Sequence, residues 1–272
     1  MSRRVELHCH SVYSDGVFTV DELVARAKKD GVDTLVLTDH DSVSGGPDLL
    51  AAGAKHGLDV RLGIEINCAG EGAADRVHIL GYGVRPDSPG FLARLGEFRE
   101  RRTVRARRMV DKLRALGHPI EYEQVMAAAH ETVGRPHVAD ALKRLGVVKS
   151  RKEAFDRFLA KDKPGFVESM GPSPAEAIAL IRDAGGTACL AHPQTAGKAP
   201  ELEALLALGL QGVEVFYGGH TPSQVRAYGD WAASVRALPV GGTDFHGPGT
   251  GREARLGVEY DDASWEQFQK TL

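Results

Sequence analysis

Cysteine is scarce in this chain. The three present, Cys9, Cys68 and Cys189, have neither zinc-finger nor redox spacing, which excludes a disulfide-stapled framework and predicts reduced, packed thiols. No stretch approaches the ~20 apolar residues of a membrane span. The opening MSRRVELHCHS has no apolar segment behind its basic residues, so no signal peptide is expected and the expected location is the cytoplasm. The chain also lacks a Walker motif, GxGxxG and GxSxG, leaving nucleotide-dependent phosphotransfer, hydride transfer and serine hydrolysis without their usual support. Zinc-finger, RNP and KH signatures are missing too.

What is present is a set of nine residues able to hold metal: His8, His10, Asp15, His40, Glu65, His78, His192, Asp244 and His246. Their contexts are VELHCH, LVLTDHD, RLGIEI, RVHILGY, CLAHP and GGTDFHG, apolar runs each joined to a polar residue or a glycine. That pattern is expected where buried strands deliver ligands to one end of a sheet or barrel. Residues two apart on a strand share a face, so His8 and His10 enter one site and Cys9 points away. Imidazole with carboxylate favours zinc, manganese or iron. At three or four ligands each, nine residues serve two to three divalent ions, with Glu65 or Asp244 bridging.

Apolar runs predict strands at 4–8, 33–38, 59–66, 76–82, 187–191, 212–216 and 238–242. Thr19 with Glu22, and Ser173-Pro174 with Glu176, mark helix starts. Further helices are expected at 47–56, 200–208 and 222–236. Alternation of this kind predicts an α/β fold with a mostly parallel sheet closing into a seven-stranded barrel. It stops between about 90 and 168, where helices are expected at 90–116, 121–129, 136–145 and 150–160. The predicted division is therefore a barrel from 1–89 and 166–272, with a helical insertion at 90–165 over its mouth. From 94 to 163 there are 18 Lys or Arg against 10 Asp or Glu, an excess of eight within a chain whose net charge is −3. A basic cap over an acidic body predicts an anionic substrate.

Clustered divalent ions suit both carboxamide and phosphate-ester hydrolysis, and cationic side chains around the site would favour phosphate. Arg135 in VGRPHVA is the first candidate, because its guanidinium fork matches phosphate. His137 is placed to contact phosphate or shuttle a proton. Lys163, and less so Lys161, in FLAKDKPGFV are candidates for substrate contact. Asp41 and Ser42 are expected to cap the next helix.

HCHSVYSDG, TDHD, GIEI, VHILGY, AHP and GTDFHG resemble, in order, the motifs of the PHP (polymerase and histidinol phosphatase) domain family. GRPHVA and KPGFV resemble its TrpH-like group of 3′,5′-nucleoside bisphosphate phosphatases and 5′-to-3′ exoribonucleases. The resemblance implies a distorted (β/α)7 barrel with a helical insertion and a trinuclear centre, commonly manganese. It implies His8, His10, Glu65 and Asp244 on a first metal, with Glu65 bridging to a second on His78 and His192. Asp15, His40 and His246 would hold a third. Where relatives often have glycine before the lysine, FLAKDKPGFV has an extra charge pair. The mechanistic expectation is in-line attack of a hydroxide on a terminal phosphate, with Asp244 as proton acceptor, His192 or His137 as the acid for the leaving oxygen, and Arg135 stabilising phosphoryl charge. The implied substrate is a small anionic nucleotide or short single-stranded RNA, with no obligatory protein partner. Hydrolysis of histidinol phosphate or another small phosphomonoester, and a non-catalytic, polymerase-associated metal-binding role, are the alternatives.

Overall fold

The computed structural model describes residues 3–69, 77–195 and 199–272, so residue 76, at the expected start of one strand, lies outside the described residues. The chain opens with β1 (Arg3–Cys9), α1 (Val20–Asp30), β2 (Thr34–Leu37), α2 (Gly46–His56), β3 (Asp59–Asn67) and β4 (His78–Tyr82). A helical excursion follows: α3 (Pro89–Ala115), α4 (Tyr122–Met126), α5 (Arg135–Arg144), α6 (Arg151–Ala154) and a π-helical turn, Phe155–Leu159. The chain returns through α7 (Pro174–Asp183), β5 (Thr187–Leu190), α8 (Ala199–Ala207), β6 (Gly212–Tyr217) and α9 (Pro222–Val235), ending with β7 (Leu238–Gly242), β8 (Val258–Tyr260) and α10 (Asp262–Gln269).

The strands form one sheet in the order β7-β6-β5-β4-β3-β2-β1-β8. It is mixed, which corrects the mostly parallel expectation. β4 runs antiparallel to both β3 and β5; only residues 68–77 separate β3 from β4, fewer than the dozen or so that a parallel crossover needs. β8 is an eighth strand, antiparallel to β1, too short to stand out as an apolar run.

The sheet nearly closes into a barrel. Beyond β7, the Asp244 N–H donates to the His8 carbonyl at 2.8 Å and the His10 N–H to the Phe245 carbonyl at 2.9 Å. Gly242 permits this approach, since a Cβ there would lie 2.5 Å from the His8 nitrogen. The capping boxes expected from Thr19–Glu22 and Ser173–Glu176 are both formed.

α3 is the longest helix, at 27 residues. Its first turns bury Phe91, Leu95 and Phe98 in an apolar cluster with Ile64, Ile79 and Ile178 of the sheet layer. Its last turns bury Ala106, Met109 and Leu113 in a second cluster with Val138, Leu142 and Phe158 of the excursion. One uninterrupted helix thus belongs to both cores. Asp41 and Ser42 do not cap α2, whose N-cap is Gly45. They hold the excursion instead: Asp41 accepts from Arg102 Nε at 2.5 Å, and Ser42 donates to Glu131.

Candidate metal centre

Seven segments meet at one rim of the barrel. β1 brings His8 and, just past its end, His10; the following loop brings Asp15. His40 follows β2 and forms an isolated parallel bridge with Glu65 on β3. His192 follows β5, and Asp244 with His246 follow β7. Each of these residues stands at or beyond the end of its strand, whereas His78 is the first residue of β4. Because β4 is reversed, its beginning reaches the same rim.

Five of the six histidines converge on Glu65, which is fully buried. Its Oε2 lies 3.3 Å from His8 Nε2, 3.1 Å from His10 Nε2 and 3.0 Å from His40 Nδ1. Its Oε1 lies 2.8 Å from His78 Nδ1 and 3.2 Å from His192 Nε2. The ligand atoms fall into three groups, each within 4.8 Å: His8, His10, Glu65 and Asp244; Glu65, His78 and His192; and His10, Asp15, His40 and His246. His10 therefore reaches two groups, a sharing that the sequence did not suggest.

Divalent cations fit these groups. His8 Nε2, His10 Nε2, Asp15 Oδ1, His40 Nδ1, Glu65 Oε2 and Asp244 Oδ1 are buried, and none has a hydrogen-bond partner of acceptable geometry. Each such orphan costs about 1–3 kcal/mol. Six of them converging on one place is tolerable only where a cation supplies the missing interaction. The all-nitrogen-and-oxygen donor set suits borderline or hard ions.

The electrostatics of the protein groups alone show the same tension. Burial disfavours charge on His10, yet Asp244 and Glu65 overcome it and lift its pKa to about 9. Burial dominates at His78, which falls to about 3 despite Glu65. Burial also pushes the Asp244 carboxyl upward, but Arg252 and His8 reverse this and hold it well below the carboxylate range.

Buried carboxylates that the sequence reading passed over support the ligands. Glu214, on β6, lies with Oε1 2.9 Å from His8 Nδ1, and its Oε2 accepts the His192 N–H at 2.6 Å. This arrangement keeps His8 Nε2 facing the cluster. Glu6 accepts from the backbone N–H groups of His8, Thr243 and Gly257 and from the Thr243 hydroxyl. Asp39 accepts from the Ser11 N–H and from the hydroxyls of Ser11 and Ser14, fixing the loop that carries Asp15. A signal for Glu6 and Glu214 was available: each is a carboxylate inside an apolar run, VELHCH and GVEVFY, and a buried acid needs a partner. Asp41, His192 and Asp244 also hold positive φ, at 50°, 28° and 53°, a strain of about 1–3 kcal/mol each that clusters at functional sites.

The centre opens into a cavity of about 410 Å³, walled by Asp15, His40, His78 and His246 on the barrel side and by Arg102, Arg105, Arg135, Arg151, Lys152 and Arg252 around the mouth. Arg135 is where the sequence placed it, with its guanidinium carbon 5.5 Å from the Phe155 ring centre. His137 is not among the lining residues. It is buried, and its Nδ1 accepts the Gly134 N–H at 3.0 Å, capping α5. Lys161 and Lys163 are exposed and likewise do not line the cavity. The turn that carries them packs Gly165 and Phe166 inward and leaves both lysines in solvent. Arg102, Arg105, Arg151 and Arg252 line the cavity instead. A larger groove, about 1020 Å³, lies among Thr187, Leu210, Leu238 and Gln267, by the starts of β5 and β7, and contains none of the nine.

Comparison with known proteins agrees with this geometry. The PHP domain model matches residues 6–171. The 5′-3′ exoribonuclease of Haemophilus influenzae is 33% identical over 276 residues, covering 98% of this chain and 100% of that protein. A 3′,5′-nucleoside bisphosphate phosphatase of Chromobacterium violaceum is 34% identical over 254 residues, covering 91% and 88%. The structure of an amidohydrolase from Chromobacterium violaceum with bound sulfate and no metal superposes with a TM-score of 0.86 at 32% identity, covering 98% of this chain and 96% of that one. With its ordered motifs brought to one rim, and with relatives matched over nearly its full length, the chain belongs to the PHP domain family.

Proposed function

We propose that this protein is a metal-dependent phosphoesterase that releases phosphate from nucleoside 3′,5′-bisphosphates and trims the 5′ end of short 5′-phosphorylated RNA. One observation carries the reading: three overlapping ligand groups lie together, and Asp15, His40, His78 and His246 of two of them wall a single cavity rimmed by five arginines and a lysine. A carboxamide substrate has no use for such a rim, whereas a substrate with two phosphates does. The names of the Haemophilus and Chromobacterium relatives support the same substrate class, and manganese suits the donor set.

Divalent ions bound by the three groups supply Lewis-acid polarisation of a phosphoryl oxygen and lower the pKa of water. The chain's own residues do the rest. Asp244 turns Oδ1 toward His8 and His10 and keeps Oδ2 on Arg252 at 2.6 Å, so its carboxylate stays ionised, and it is the group assigned as proton acceptor. His192 is engaged at both nitrogens, with Thr195 at Nδ1 and Glu65 at Nε2, and serves as a ligand rather than as the acid for the leaving oxygen. Arg102 is held by Asp41 and Asn67 and Arg151 by Asp140. These two arginines fix the rim, and Arg135 contacts the second phosphate. A panel with manganese tests the reading: adenosine 3′,5′-bisphosphate, adenosine monophosphate, histidinol phosphate and 5′-phosphorylated RNA. The bisphosphate is expected to be the best substrate, and activity confined to histidinol phosphate overturns the proposal.

A further inference from the structure

Phe155 is out of character with the cavity it faces. The wall is built from imidazoles, a carboxylate, guanidinium groups, glycines and small polar side chains. Among the described residues, Phe155 and Pro136 are its only sizeable apolar groups. Phe155 is half-buried: it packs on the apolar core of the excursion, around Ala106, Leu142 and Phe158, and also borders the cavity. It opens the π-helical turn, in which the Ala160 N–H donates to the Phe155 carbonyl at 3.0 Å, five residues back. Single π turns are costly and recur at functional sites because they re-aim a side chain. Here the turn carries an aromatic ring to the edge of a polar, cation-lined cavity.

Apolar surface left open in such a cavity gains when a planar, weakly hydrated group covers it. Of the parts of a nucleotide, only the base has that character. Bases stack on aromatic rings and on guanidinium planes alike, and Arg135 lies against the ring. Resting on the phosphoesterase reading above, we infer that Phe155, flanked by Arg135, is the platform on which the substrate's nucleobase stacks. Specificity for nucleotides over sugar phosphates then originates in the excursion, while the chemistry originates in the barrel. Stacking reads no hydrogen-bonding edge, so adenine, guanine and the pyrimidines are accepted with modest differences.

The test compares adenosine 3′,5′-bisphosphate with the 3,5-bisphosphate of methyl ribofuranoside, which has no base, in the manganese-loaded enzyme. Wild type is expected to favour the adenosine compound in kcat/KM by roughly ten- to hundredfold, the range typical of one stacked base. F155A should abolish most of that preference through KM and leave the base-free compound nearly unchanged. F155L preserves apolar packing without a π face and should behave like F155A, whereas F155W should retain the preference. Equal treatment of the two compounds by wild type, or an equal loss on both in F155L, overturns the inference. Calorimetric binding of adenosine monophosphate and ribose 5-phosphate separates the platform from the reaction. If neither bisphosphate is cleaved yet adenosine monophosphate binds tighter only when residue 155 is aromatic, the reaction assignment falls and the platform stands. Equal binding of the two monophosphates overturns the platform.

Discussion

Glu214 contacts no cavity, yet the geometry makes it decisive for metal affinity. Both of its oxygens face donors: the His8 imidazole at 2.9 Å and the His192 backbone N–H at 2.6 Å. Glu214→Gln leaves the volume unchanged and removes one acceptor. The His192 amide cannot give up its proton, so the Gln carbonyl must stay there and its NH₂ must face His8 Nδ1. His8 can accept that bond only by moving its own proton to Nε2, the atom aimed at Glu65 and Asp244. The variant thus converts a ligand lone pair into an N–H. Loss of such an orienting partner typically weakens metal binding 10- to 100-fold, or about 1.4–2.7 kcal/mol. The assay is calorimetric titration of manganese into chelator-stripped E214Q and wild type, with elemental analysis of the loaded proteins and circular dichroism to establish folding. A matched control is Glu259→Gln, since Glu259 is exposed and should change nothing. Folded E214Q that binds manganese with wild-type affinity and stoichiometry would refute the reasoning.

Protein purified without chelator should contain two to three ions per chain, and H8A or E65A should lose most activity; elemental analysis finding at most one ion in wild type counts against the three-group site. Arg135→Ala should cost about 1.5–3 kcal/mol with adenosine 3′,5′-bisphosphate, as for a charge-assisted contact, a roughly ten- to hundredfold fall in kcat/KM. The loss with adenosine monophosphate should be smaller, and equal losses would move Arg135 to the reacting phosphate or to a structural role. Ser173→Ala should destabilise the fold by about 1 kcal/mol through loss of the α7 cap, read as a shift in denaturant midpoint. The Ser173 N–H and hydroxyl lower the pKa of Glu176, so this cap's contribution is present above the unfolded carboxylate pKa and is lost as pH falls through the lower folded value. The gap between wild type and S173A should therefore narrow in acid, and a gap that widens there would contradict the assignment.

The candidate ligands other than Asp15 were legible in the sequence because they sit where an apolar run meets a polar residue, and strand periodicity is short enough to be read from a few residues. The direction of β4 was also implicit, since too few residues separate it from β3 for a crossover helix. The cations were harder. Counting charge between 94 and 163 reveals a basic segment but not the face each side chain takes, so exposed Lys163 was named and the cavity-lining Arg102 and Arg105 were not. The capping role of His137 could have been recovered from the sequence. Gly134 has no side chain with which to cap α5, and the histidine three residues on reaches back to its N–H, the part Glu or Gln plays in a capping box. Glu6 and Glu214 were passed over because their strands read as uniformly buried, and only the fold shows which strand neighbours which.

The straddling helix α3 governs how the molecule comes apart. Between Phe98, rooted in the sheet layer, and Ala106, rooted in the excursion, the helix contains no glycine or proline, so the two cores are joined by a stiff shaft of about 12 Å rather than by a hinge. Arg99 and Arg102 on that shaft are bonded to Asp41 and Asn67 on the barrel rim. A helical excursion joined this way is poorly suited to swing open as a lid. Loosening of one core would also strain the shaft shared with the other. Thermal melting should accordingly be a single cooperative event, with no protease-resistant barrel outliving its cap.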